Sequence, residues 1–297
     1  MGTQEPVVLD ATSRRPHRRA TTTALAAGLV TIAMIATSAA ASEATTSVKQ
    51  RATGTVDVLY AGSLLRLMQN SVDPAFHSAT GYTVSGISGG STALANQIKS
   101  KTVVGDVFIS ASPTADAALM GASNGKWISS YDSFGTSSLV LGYNPSSRFA
   151  TAVKSKPWYD VVDTPGFLLG RTDPKTDPKG VLSVDALDGV ALSYDLPALG
   201  SLATSTSNVF PETSLVGRLQ AGQLDGGFFY EVEAIAAKIR TVPLVSTGLS
   251  ALYTIAILNH APHGAAAKAF VKFLLGATGR SILRKNGIVP IVPPKVS

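Results

Sequence analysis

Two glycine–serine turns carry the clearest chemistry in this sequence: Ala61-Gly62-Ser63-Leu64 and Gly89-Gly90-Ser91-Thr92. Each follows a short apolar run and opens a stretch with helical spacing. The first N–H groups of a helix have no partner within it and lie at the positive end of its dipole. Glycine lets the backbone approach a ligand closely, and serine adds a hydroxyl donor. Gly62, Ser63, Gly90 and Ser91 could therefore grip a small tetrahedral anion without any full positive charge. Taken singly, each turn is also an ordinary helix start, because serine is among the preferred capping residues. Their joint occurrence in the first two strand–helix units favours a ligand site, since open α/β sheets bind ligands at the carboxyl ends of their strands.

Two further segments could face such a site. In Asp173-Pro174-Lys175-Thr176-Asp177-Pro178-Lys179-Gly180, aspartates before prolines make tight turns. The second would set Asp177 at the mouth of a helix, with Lys175 and Lys179 to offset its charge. In Gly226-Gly227-Phe228-Phe229-Tyr230-Glu231-Val232-Glu233, Tyr230 could donate its phenol at a strand end. Glu231 and Glu233 then fall in the first turn of the next helix, where carboxylates are favoured anyway. A competing chemistry is serine hydrolysis. Gly86-Ile87-Ser88-Gly89-Gly90 matches the G-x-S-x-G nucleophile turn around Ser88. Its base would have to be His260 or His263, both within one Asn-His-Ala-Pro-His-Gly turn. A short glycine motif recurs by chance in a chain with 27 glycines, and the two histidines are no better as a metal pair than as plain turn residues.

These residues must be positioned by an α/β framework. Apolar runs at 56–60, 82–85 and 106–110 predict strands, each followed by a turn and a helical stretch (64–70, 92–100, 112–120). That repeat is the mark of a sheet with crossover helices. Later strands are predicted at 138–143, 168–171, 226–230 and 252–258, and helices at 158–162, 184–199, 215–221, 232–239, 265–275 and 278–285. The pattern predicts two lobes, 55–140 with 249–297 and 141–248, each a mixed sheet flanked by helices with the ligand in the cleft. Crossovers are expected near 139–143 and 245–252.

Composition narrows the function. Apolar residues make up 45% of 297, enough for a large core. The net charge is +6, and outside the first 41 residues 21 basic residues face 17 acidic ones, a mild excess that suits an anion. No basic run interleaved with aromatics follows, which argues against nucleic acid. With no cysteine there is no disulfide, thiolate chemistry or lipid-anchoring cysteine. Residues 1–41 carry a basic patch (Arg14, Arg15, Arg18, Arg19), an apolar stretch from Ala24 to Ala36 and an Ala39-Ala40-Ala41 end. That layout predicts a secretory signal peptide and an exported protein, with 42–54 as a linker. Retention of the apolar stretch as an anchor is the other reading.

Four of these segments together resemble the molybdate/tungstate-binding proteins of ABC importers. They are Ala61-Gly62-Ser63-Leu64, Gly89-Gly90-Ser91, the turn ending Asp177-Pro178-Lys179-Gly180, and Leu219 to Asp225 with Phe228 and Tyr230. Trp158-Tyr159 also fits, and the likeness spans about residues 55 to 290. The resemblance implies a type II periplasmic-binding-protein fold, with Ser63 and Ser91 on the oxyanion from one lobe and Asp177 and Tyr230 from the other. It implies a monomeric non-enzyme in the periplasm or on the outer face of the cytoplasmic membrane. Its partners would be the oxyanion and a membrane permease, with no cofactor and no metal beyond the bound oxyanion. In one branch of that family an aspartate and a glutamate also ligate the metal centre. Asp177 matches the aspartate, but the glutamate falls on Phe229. Sulfate, phosphate or another anion is the alternative ligand.

Overall fold

The structure, a computed structural model, describes residues 53–244 and 247–297. The predicted signal peptide and nearly all of the linker lie outside the described residues. Among the described residues nine strands form, in chain order: β1 (Thr55–Ala61), β2 (Thr83–Gly89), β3 (Val107–Ser110), β4 (Asp132–Tyr143), β5 (Leu169–Gly170), β6 (Gly226–Tyr230), β7 (Arg240–Pro243), β8 (Ser250–Ile257) and β9 (Val289–Val296). They run in the order β2-β1-β3-β8-β4-β6-β5, with β7 and β9 pairing to β4. β1 is parallel to β2 and β3, as strand–helix–strand units require, whereas β8 is antiparallel to β3.

β4 joins the two halves. Its first part, Asp132 to Ser138, pairs with β8, and its last part, Leu139 to Tyr143, pairs with β6 and β7. The sequence places this strand only from Ser138, because Asp132, Ser133, Gly135, Thr136 and Ser137 lack apolar alternation. The missing half is largely buried and polar, made acceptable by long-range hydrogen bonds. Ser137 Oγ donates to Gly287 O at 2.9 Å and accepts from Val232 N–H at 3.0 Å.

Several helices form where apolar spacing predicts them, and Asp73–Thr80 and Ala150–Ser155 form where it does not. The helix Trp158–Val162 and strand β6 match their expected ends. The helix Pro178–Tyr194 starts six residues before its expected start, because Asp177 caps it and Pro178 fills its first position. A second helix, Pro197–Thr204, continues after the break at Asp195. The helix Gly264–Leu275 buries Phe270 edge-on against Phe76 at 5.1 Å between ring centroids. Among the described residues, no helix is long and apolar enough to cross a membrane.

Candidate functional site

β1 and β2 end side by side, with Ala61 opposite Gly89, and this register brings the two Gly-Ser turns to one sheet edge. Ser63 and Ser91 are both buried. Ser63 Oγ lies 2.9 Å from the Tyr253 hydroxyl, so one of that pair keeps a hydrogen to donate elsewhere. The Ser91 hydroxyl accepts from Ala111 N–H at 3.0 Å, which leaves its own hydrogen free.

The Asp-Pro turn faces them. Ala93 N–H donates to Thr176 O at 3.1 Å, and a Cβ at Gly90 would stand 2.3 Å from that same oxygen. Only glycine permits this approach, and it sets Asp177 beside Ser91. Asp177 Oδ1 accepts from Lys179 N–H at 3.0 Å, while Oδ2 is buried without a well-directed partner. Tyr230, at the end of β6, meets Tyr253 edge to face at 6.1 Å. Its hydroxyl is buried and unpartnered. Ser63, Ser91, Asp177 and Tyr230 are therefore brought together.

Glu233 joins them through Lys179, a fully buried ammonium 2.7 Å from Glu233 Oε2 and 3.7 Å from Glu212 Oε1. Glu231 does not join them: it is exposed, and its side chain lies beside Gly287. Gly62 is at the site through its backbone, since Gly62 N–H donates to Glu212 Oε2 at 2.9 Å. Ser88 sits inside β2 opposite Tyr60, not on a turn, and His263 is bound instead to Asp106 at 2.9 Å.

The pattern described as bacterial extracellular solute-binding protein matches residues 56–289. The chain belongs to that family. Its members bind solutes rather than catalyse reactions, so the hydrolase reading of Ser88 falls. An uncharacterised solute-binding protein of Petrotoga mobilis is 28% identical over 82% of this chain and 86% of its own length. The molybdate/tungstate-binding protein WtpA of Pyrococcus abyssi is 27% identical over 55% of this chain and 63% of its own length. Among solved structures, the periplasmic molybdate-binding protein of Azotobacter vinelandii superposes with a TM-score of 0.64 at 21% identity, over 79% of this chain and 98% of that one. The fold is thus the two-lobed one of periplasmic binding proteins.

The cluster of buried ionisable groups is electrostatically unusual. Burial raises Asp177 above the ordinary carboxylate range, against the pull of Lys179. Burial and then Asp177 raise Glu212 strongly, and burial raises Glu233. For Lys179, burial disfavours the charge, but Glu233, Glu212 and Asp177 outweigh it and hold the ammonium. Burial first, and the carboxylates after it, push both Tyr230 and Tyr253 well up, so both phenols are neutral donors.

Sequence reasoning missed Tyr253, Glu212 and the central place of Lys179. Tyr253 lies mid-strand in an apolar run, where a core role is the plain expectation. Glu212 opens the helix Glu212–Gln220 after Pro211, a position that favours any acid. The odd signal was Lys179, one residue into a helix start that otherwise favours acids.

Proposed function

We propose that this protein captures a tetrahedral oxyanion, molybdate or tungstate, outside the cytoplasm and delivers it to an ABC importer. The observation that carries the reading is the buried Tyr230 hydroxyl, which has no partner of its own at a point where both halves of the molecule converge. Ser91 and the Ser63–Tyr253 pair each keep a hydrogen to donate. Oxyanion oxygens would accept from all three. A buried donor left unpaired costs free energy that a ligand restores.

Asp177 Oδ2 narrows the ligand. A bare carboxylate beside a bare dianion is repulsive. Molybdenum and tungsten can enlarge their coordination shell and take a carboxylate oxygen as a further ligand. Sulfate can do neither this nor, at neutral pH, donate a proton. Hydrogen phosphate is the second reading, because it can donate its proton to Asp177 Oδ2. The WtpA likeness supports molybdate or tungstate.

Export through residues 1–41 belongs to the same proposal. So do a monomer in the periplasm or on the outer membrane face, a permease partner, and lobes 55–140 with 249–297 and 141–248 that close on the anion by a hinge. A thermal-shift panel tests the ligand. An anion at a hundred times its Kd should stabilise by about 2.7 kcal/mol. Molybdate and tungstate are expected to raise Tm while sulfate does not. A shift with sulfate alone would overturn the reading, and a shift with phosphate alone would select the second.

A further inference from the structure

A lysine is out of place in the first turn of the helix Pro178–Tyr194, where the helix dipole favours acids. Lys179 nevertheless turns inward and is fully buried. Its ammonium lies 2.7 Å from Glu233 Oε2 and 3.7 Å from Glu212 Oε1. It also stands over the rings of Phe229 and Tyr230, 5.7 and 5.9 Å from their centroids. Tyr230 carries the unpartnered hydroxyl, and Glu212 Oε1 accepts from Ser63 N–H at 2.9 Å. Asp177, two residues back, accepts from Lys179 N–H at 3.0 Å. The ammonium therefore sits among the residues brought together at the site. Among the described residues Arg171 is the other buried cation. Its guanidinium is engaged by the carbonyls of Thr172, Leu202, Ala203 and Ser205, so it offsets none of these carboxylates. Lys179 is the one full positive charge set against Asp177, Glu212 and Glu233.

We propose that Lys179 is a specificity-determining residue, whose ammonium makes the site prefer a doubly charged oxyanion to a singly charged one of the same shape. This rests on the oxyanion reading above. Neutral hydroxyls at fixed positions, such as those of Ser91 and Tyr230, read the shape of an anion. A fixed charge reads its total charge, because the Coulomb energy with a dianion is twice that with a monoanion at the same place. Burial strengthens the effect, since water screens the ammonium poorly there. Glu233 acts with the opposite sign. Its carboxylate fixes where the ammonium sits, and it also cancels part of the positive charge that the ligand feels. Lys179 and Glu233 together thus set the charge preference, while the hydroxyls set the fit.

The test compares the affinities for tungstate, a dianion, and perrhenate, a tetrahedral monoanion of closely similar size. Both are measured by titration calorimetry at neutral pH, with competition against tungstate where perrhenate binds weakly. Wild type is set beside Lys179→Met and Glu233→Gln. Both variants break the same ion pair, so a loosened fold would weaken the two anions alike in each and leave the ratio of affinities unmoved. A charge effect moves that ratio in opposite directions. Lys179→Met is expected to lower the preference for tungstate over perrhenate by about tenfold, the order expected for one unit charge acting on one further unit of ligand charge across a partly screened site. Glu233→Gln is expected to raise it. A ratio unchanged in either variant, or moved the same way in both, would overturn the proposal. Should one variant fail to fold, the direction of shift in the other decides. Wild type that binds neither tungstate nor molybdate would remove the oxyanion reading and this role with it. Tungstate binding with an unmoved ratio would remove the role of Lys179 alone.

Discussion

Tyr230 separates binding from folding more sharply than any other residue of the cleft. Its hydroxyl is buried and unpartnered, so removing it should cost the folded protein nothing. Tyr230→Phe is expected to leave Tm unchanged or slightly raised while weakening oxyanion binding by about 1.5–3 kcal/mol, the worth of a hydrogen bond to a charged group. Denaturation and calorimetry on the same sample would check both signs. Loss of stability with unchanged affinity would make it a core residue only. Ser91→Ala should weaken binding by a similar amount, about 1.5–3 kcal/mol. It should also destabilise slightly, because Ala111 N–H loses its acceptor. Unchanged affinity would return Ser91 to the role of a helix start. These serines were legible as candidates because Gly-Ser before a helix presents backbone and hydroxyl donors whatever surrounds it. Glu212 was not, because an acid after proline at a helix start satisfies the dipole without any further partner.

At the scale of elements, the helix Ser91–Lys99 approaches the Asp-Pro turn closely, and the proposed closure depends on that contact. An added Cβ at Gly90 would meet backbone at Thr176 O, 2.3 Å away, and backbone cannot swing aside. Gly90→Ala is expected to lower oxyanion affinity at least tenfold and to enlarge the radius of gyration of the ligand-bound form. Unchanged binding and scattering would show that this contact is not part of closure. Most elements were legible, since β1, β6 and the Trp158–Val162 helix have clean apolar spacing and turn residues at their ends. The first half of β4 was not. Its burial depends on Ser137 finding Gly287 O and Val232 N–H, partners 150 and 95 residues away that no local pattern reveals. The early start of the Pro178–Tyr194 helix was hidden by a turn-rich stretch whose aspartate proves to be its cap.

At the scale of the whole molecule, burial raises two carboxylates away from the cleft. Asp116, beneath Thr254 of β8, is pushed up to about 7, and Asp73 to about 6, both by burial. The folded chain thus holds more protons than the unfolded chain between about pH 4 and 7. That contribution is fully present below about pH 4 and is lost as pH rises through 6 to 7. Unfolding free energy is therefore expected to fall from mild acid to neutral pH by a few kcal/mol, measured by denaturant titration from pH 4 to 8. Asp116→Asn, which keeps an acceptor for Thr254, should flatten much of that slope, and an unchanged slope would contradict it. The oxyanion is proposed to sit where the two halves meet. Anomalous diffraction from crystals grown with tungstate tests it most directly, because tungsten can be located without assumption about the site. One strong peak is expected in the cleft, within reach of the Ser63, Ser91 and Tyr230 hydroxyls and of Asp177. An empty cleft, or a peak confined to the surface, would contradict it.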